Sequence, residues 1–465
     1  MTILIYYTAD EVLEKANEAI GKTFGEIDKT NRLKKGNKGG LGQVIEESLF
    51  EYKVNSDARA DFEEAGVELK VTAFKRNKNG TISAKERLVL NIINYMEEVK
   101  TTFETSSFWK KNETILLMIY EWLPNTNQKD FHIYKNILHQ FPEADLEIIK
   151  KDWETIVNKI RAGKAHELSE GDTNYLGACP KGANKSSLRK QPYSDILAMQ
   201  RAFSLKSSYM TAIMRSYILQ EDLVGFAAAH ELKEKSLEEL LEDRFSPYTG
   251  MTVKEIAKKL NIEFKPKAKH FNATLVSALL GVKGTRLDSI EEFAKANIQF
   301  KTVRLEPSGK PQESMSFEQI DFHQWTTETW EDSLIRHKFF ETKFLFVVFG
   351  YKETKKQNPN RDLYLKGIKL WNMPLQTIDT EIRQVWDEVN KVINEGIQIE
   401  CKKKGNGFVQ HNNLPKSDFN GVAHIRPKAR DGQDKVKLPT GEMITKQCFW
   451  LNREYITEIV NLQQI

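Results

Sequence analysis

Residues 61–72 read DFEEAGVELKVT. From Val67 onward the apolar side chains alternate: Val67, Leu69 and Val71 fall on one face, Glu68, Lys70 and Thr72 on the other. A period of two predicts a half-buried β-strand. Glu68 and Lys70, two apart, then project from the same side, about 7 Å from each other along the chain. Asp61 ends the preceding segment and can fold back beside Glu68. Two carboxylates held together repel unless a cation lies between them, and oxygen donors favour a hard divalent ion, Mg²⁺ first. A neighbouring lysine can position a water and stabilise charge developing on a phosphate. Asp61, Glu68 and Lys70 thus form a D-x6-E-x-K set suited to metal-assisted phosphodiester hydrolysis. The spacing alone is weak in a chain with 65 acidic and 69 basic residues, where such a set arises by chance.

Repetition strengthens it. EFAKANIQFKTV, from Glu292, echoes the quoted stretch. Gly21, Thr23, Glu26 and Ile27 are echoed by Gly250, Thr252, Glu255 and Ile256. GQVIEESLF (from Gly42) pairs with ATLVSALLG, ETILLMIYE with ETKFLFVVF, and the run around Trp153 with that around Trp386. Pro180-Lys181 pairs with Pro427-Lys428, and FSLKSSYMT (from Phe203) with FWLNREYIT. So many echoes in one order indicate a duplicated domain. The first copy is expected over 1–217 and the second over 245–465. A helical connection, HELKEKSLEELLEDRF, is expected within 218–244 and just beyond. Across the copies Asp61 becomes Glu292, Glu68 becomes Gln299, Glu46 becomes Ser277, and Lys70 persists as Lys301. A frame that keeps its hydrophobic pattern but loses its acids reads as a decayed site. Each copy mixes helices and strands, an α+β or α/β domain with a mixed central sheet.

Composition is compatible with this reading. In 465 residues, 40% are hydrophobic and 29% charged, as in a globular protein, and the length suits two domains. No apolar run reaches the ~18 residues of a membrane span, and MTILIYYTADEVLEKA lacks the features of a signal peptide. Three scattered cysteines, Cys179, Cys401 and Cys448, argue against disulfides or structural zinc and for a reducing cytoplasm. The net charge of +4 is mild, but basic residues cluster. Lys181, Lys185, Arg189 and Lys190 form one group, Lys402–Lys404 a second, and Lys428, Arg430, Lys435 and Lys437 a third. Basic loops of this kind are either solvated or neutralise phosphates. KKGNKGGLGQ lacks the G-K-[ST] of a P-loop, and His411 has no partner histidine at ligand spacing.

DFEEAGVELKVT is similar to the metal-binding segment of the MutH mismatch-repair nicking endonucleases, and more so to the related type II restriction endonucleases that cut at GATC. ERLVLNIINY, FETSSFWKKNETI, GKAHELSEGDTNYLGACPKGANKSSLRKQPYSD and QRAFSLKSSYMT extend the resemblance over nearly all of the first copy. It implies the PD-(D/E)XK fold twice in tandem, each a mixed five-stranded sheet flanked by helices. It implies Mg²⁺ on Asp61 and Glu68, Lys70 serving the attacking water, Glu46 as a further active-site acid and Lys111 lining the site. It places Lys181 in a DNA-contacting segment and Lys206 and Tyr209 near the DNA. The sequence departs from the repair enzyme's pattern at Cys179 and Ser204, which bears on base and methyl readout. The implied substrate is double-stranded DNA at GATC, cut 5′ of the G, with a cognate DNA methyltransferase as genetic counterpart. One intact centre per chain and a two-fold site suggest a monomer that dimerises on DNA. The second copy, with Lys428 and Arg430, is expected to bind a further GATC as an allosteric effector in type IIE fashion. The alternatives are a repair nickase and a non-catalytic DNA-binding regulator.

Overall fold

The computed structural model describes residues 5–33, 39–52, 59–182, 187–268, 270–404 and 407–461. The chain forms two compact units, residues 1–240 with 288–297, and residues 241–287 with 298–465.

The first unit is built on a four-stranded mixed sheet. Its strands are β1 (Val67–Arg76), β2 (Ile82–Ala84), β4 (Thr114–Glu121) and β5 (Ile133–Gln140), in the order β2-β1-β4-β5; β3 (Leu88–Ile92) lies elsewhere. β1 runs parallel to β4, while β2 and β5 are antiparallel to their neighbours. β3, β6 (Leu176–Pro180) and β9 (Arg201–Leu205) form a separate antiparallel sheet, and β7 (Leu188–Gln191) and β8 (Ser194–Met199) a hairpin. The central sheet thus has four strands rather than the five implied, because further strands join this second sheet. The helix Glu143–Arg161 buries Ile149, Trp153, Ile156 and Ile160, the spacing of one helical stripe.

β1 differs from its expected half-buried character. Flanked by β2 and β4, it is internal, and both its faces are covered. Glu68 and Thr72 are as buried as Val67 and Leu69. Alternation identified the strand, but on the polar face it predicted to be wet Glu68 and Thr72 are buried, with Lys70 between them half-buried. An acid buried in this way departs from the usual outward placement of charge.

The second unit repeats the scheme. β10 (Ile298–Leu305) runs parallel to β12 (Lys343–Tyr351), which pairs antiparallel with β13 (Leu363–Trp371). β11 (Met315–Gln319), β16 (Ala423–Pro427) and β19 (Gln447–Leu451) form its second sheet; β14 (Ile399–Lys404) with β15 (Gly407–Asn412), and β17 (Lys435–Lys437) with β18 (Met443–Thr445), are hairpins. Register agrees as well as order: Glu68 stands opposite Ile115, and Gln299, its echo, opposite Phe344. Thr23 and Thr252 each cap a short helix through a reciprocal bond with the glutamate three residues on, Glu26 and Glu255. Gly21 and Gly250 precede these caps with φ of +79° and +83°, a region open mainly to glycine.

The unit boundaries do not follow the repeat. The helix Ala229–Glu234 belongs to the first unit, with the Lys233 carbonyl accepting from Lys151 Nζ at 3.1 Å. So does the helix Glu291–Ala296, which follows a bridge between Val224 and Ile290. Among the described residues no helix is long and apolar enough to cross a membrane. All three cysteines are free.

Candidate active site

The helix that starts at Gly40 is α-helical to Val44 and then widens into a π-turn over Ile45–Leu49. Such turns are rare and recur at functional sites. This one carries Glu46. Its counterpart in the second copy, Phe271–Leu279, is an uninterrupted α-helix with Ser277 at the equivalent place. Beyond the π-turn, reciprocal backbone bonds between Phe62 and Val67 close a tight loop that returns Asp61 to β1.

Asp61 and Glu68 are locked by two backbone bonds. The Asp61 N–H donates to Glu68 Oε2 at 3.2 Å, and the Leu69 N–H donates to Asp61 Oδ2 at 3.0 Å. Lys70 Nζ lies 2.6 Å from Glu68 Oε1, and Lys111 Nζ 3.5 Å from Glu68 Oε2. Lys111 also donates to the Arg59 carbonyl at 3.0 Å. Burial raises the Glu68 carboxyl to about 7; Lys70 opposes the rise and Asp61 adds to it. Glu46 is likewise raised to about 7, by burial first and by Asp61 next, against the pull of Lys70. Tyr52 was not anticipated from sequence. Its buried hydroxyl faces the fields of Asp61, Glu46 and Glu68, which with burial push it well up, and it has no hydrogen-bond partner among the described residues. The only local hint was an aromatic six residues after Glu46.

The structure therefore brings Asp61, Glu68, Lys70, Glu46 and Lys111 together. Among the described residues no three His, Cys, Asp or Glu side chains enclose a metal by themselves; ammonium groups, not other acids, lie closest to Glu68. The donor chemistry still fits a divalent ion. Three carboxylates face two ammoniums, and two of those carboxyls are raised by burial and repulsion that a cation would relieve. The expected linkage can be measured. A carboxyl raised in the fold stabilises it below its ordinary value near 4.5, and that contribution is lost as pH rises through about 7. The metal-free chain should lose stability across this window. The rise in melting temperature on adding Mg²⁺ should grow across it, because the ion takes ionised carboxylates. Melting curves with EDTA and with Mg²⁺ at pH 5.5 and pH 8 check this; a Mg²⁺ shift independent of pH would exclude it.

The basic residues divide. Lys181 follows β6 and is exposed, as are Arg189 on β7, and Lys428 and Arg430 after β16. Lys185 lies outside the described residues. Lys206 and Tyr209 require correction, because neither side chain is available to DNA. Lys206 Nζ is buried and donates to the Thr173 carbonyl at 2.5 Å. It also offsets the charge of buried Asp152, whose carboxylate accepts the Tyr175 and Leu176 N–H groups. Tyr209 is fully buried and its hydroxyl donates to Asp145 at 2.9 Å. Cys179 and Ser204, the two departures in pattern, are also buried.

In the second copy the acids are gone or diverted. Glu292, the echo of Asp61, accepts the N–H groups of Phe226 and Ala227 inside the first unit. Gln299 accepts from Lys338 Nζ at 2.7 Å, and Ser277 donates to the Thr274 carbonyl at 3.1 Å.

A twice-built mixed sheet, with an acid and a lysine on one parallel strand and a second acid folded back against it, defines a restriction-endonuclease-like DNA hydrolase. The sequence profile of the DNA mismatch repair enzyme MutH matches residues 50–152 and again 285–384. The chain is 28% identical to the DNA mismatch repair protein MutH of Shewanella woodyi and 26% to that of Actinobacillus pleuropneumoniae serotype 5b. These matches cover 44% and 46% of this chain and 91% and 95% of theirs. It is 40% identical to the type II restriction enzyme Sau3AI of Staphylococcus aureus, over 98% of this chain and 99% of that one. The chain belongs to this MutH-related family of type II restriction enzymes, and its substrate is DNA.

Proposed function

We propose that the first copy hydrolyses duplex DNA at GATC with Mg²⁺, and that the second copy binds a further GATC as effector. The observation that carries this reading is the asymmetry of two like frames: Asp61, Glu68 and Glu46 converge in the first, while the second has Gln299 and Ser277 and a diverted Glu292. Asp61 and Glu68 would hold the ion, which supplies charge against the scissile phosphate and acidifies a water. Lys70 orients that water from beside Glu68 and stabilises charge gathering on the phosphate. Glu46, poised near 7, can accept a proton at a carboxylate oxygen. Lys111 neutralises Glu68 from the other side and holds the loop at Arg59. Lys181, Lys185 and Arg189 would meet groove edges or phosphates in the first copy, Lys428 and Arg430 in the second.

Each chain offers one centre, so a palindrome is cut by two chains meeting on it or by successive nicks. A monomer that dimerises on DNA, a cytoplasmic setting and a partner methyltransferase fit this reading. The repair-nickase alternative is disfavoured because the MutH relatives correspond to about one copy, whereas the full-length relative is named a restriction enzyme. Plasmids with one and with two GATC sites test the proposal. Purified chain with Mg²⁺ should cut the two-site plasmid roughly tenfold faster, the ~1.4 kcal/mol scale of allosteric coupling. End sequences should map to GATC. Equal rates would remove the effector role, and ends elsewhere would remove the specificity.

A further inference from the structure

The decayed site of the second unit is basic and hollow. A cleft of about 400 Å³ is lined by Lys301, Arg304, Gln312, Ser316, Lys428 and Trp450. Lys301 extends from β10 at the position Lys70 holds on β1. Its ammonium lies 4.5 Å above the Phe317 ring and donates to the Ser316 carbonyl at 3.3 Å. Lys428 Nζ donates to Ser316 Oγ at 2.6 Å, on the same strand β11. Lys338 Nζ binds Gln299 Oε1 and lies 2.5 Å from Glu318.

The charge balance is inverted between copies. In the first, three carboxylates face two ammoniums, so an approaching phosphate meets net negative charge until a divalent ion binds. In the second, three ammoniums face Glu318, already paired with Lys338, and Glu313 on the lining. Lys301 has no carboxylate within 4 Å among the described residues. Its ammonium is held down to about 8, by burial first; Glu318 opposes the fall, and Lys338 and Lys428 contribute to it. A largely desolvated cation whose nearby carboxylate, Glu318, is already paired with Lys338 is costly, and an anion seated against it recovers that cost.

We propose that the degenerate site of the second unit is a metal-independent receptor for a phosphate group, held by Lys301 and Lys428. This rests on the effector reading in taking the phosphate to be a DNA phosphodiester; free inorganic phosphate shares the chemistry. The loss of Glu68's charge then does more than abolish catalysis. It turns a seat for a cation into a seat for the phosphate itself.

Lysine reactivity tests it. The full chain, in EDTA so that no DNA is cut, is treated at pH 8 with an amine-acylating reagent, and modification at Lys301 is followed by mass spectrometry. The lowered ammonium should make Lys301 reactive in the free chain. A GATC duplex at about ten times its Kd should slow its modification roughly tenfold. Protection by both duplex and inorganic phosphate, or by duplex alone, supports the receptor and its DNA source. Protection by inorganic phosphate alone supports the receptor and removes the effector reading. A Lys301 that is unreactive in every arm, or equally reactive in every arm, overturns the proposal.

Discussion

Asp61→Asn is expected to cleave DNA at least about a thousandfold more slowly than the parent chain, the scale of losing charge stabilisation at a hydrolytic centre. Its melting temperature should barely move. The substitution separates two roles that alanine would confuse. Asp61 Oδ2 accepts the Leu69 N–H, and that bond helps seat the loop against β1. An asparagine oxygen can take the same bond, so the frame is kept while the charge is lost. Alanine would lose both, adding about 1 kcal/mol of destabilisation for the stranded N–H. Single-turnover plasmid cleavage with Mg²⁺, beside a thermal melt, reads the two effects apart. A stable Asp61→Asn chain of undiminished rate would remove Asp61 from the chemistry.

Lys295→Met is expected to destabilise the first unit by about 3–5 kcal/mol, the cost of stranding one partner of a buried ion pair. Lys295 Nζ lies 2.6 and 2.7 Å from the two oxygens of Asp145 and 2.5 Å from Glu291, and both Lys295 and Asp145 are almost wholly buried. Without the ammonium, Asp145 keeps the Tyr209 hydroxyl but loses its counter-charge. Burial already raises the Asp145 carboxyl against the pull of Lys295. Removing the lysine raises it further, so the fold gains relative stability as pH falls and the variant's deficit should shrink in acid. Asp145→Asn added to Lys295→Met should restore much of the loss. Urea unfolding at two pH values measures all three effects. A single variant as stable as the parent would mean that the pair holds nothing together.

Much of the fold was legible because repetition constrains interpretation. The Thr-x-x-Glu caps, the glycines before them and the β1 and β10 patterns appear twice at corresponding places, and local chemistry fixes each. The acid cluster was legible because strand geometry sends Glu68 and Lys70 to one side. Residues defined by distant partners were not. Lys206 and Tyr209 sit at a strand–helix junction and resemble DNA contacts in sequence, but their partners are Asp152 and Asp145, on a helix far upstream. Glu291–Ala296 joins the first unit through long-range contacts that local sequence does not encode, among them Lys295 with Asp145 and Glu292 with Phe226. Tyr52 and Lys338 join their sites only through tertiary packing. The dryness of Glu68 depends on what covers the second face of β1, which its own alternation does not encode.

The location of the metal tests the central claim most directly. Fe²⁺ can stand in for Mg²⁺, and with ascorbate and peroxide it cuts the polypeptide near the residues that hold it. Scission should fall around Asp61 and Glu68, compete with added Mg²⁺ and vanish in Glu68→Ala, with none at residues 292–301. Cuts in the second copy, or cuts in the first that survive Glu68→Ala, would contradict a single armed centre beside its disarmed twin.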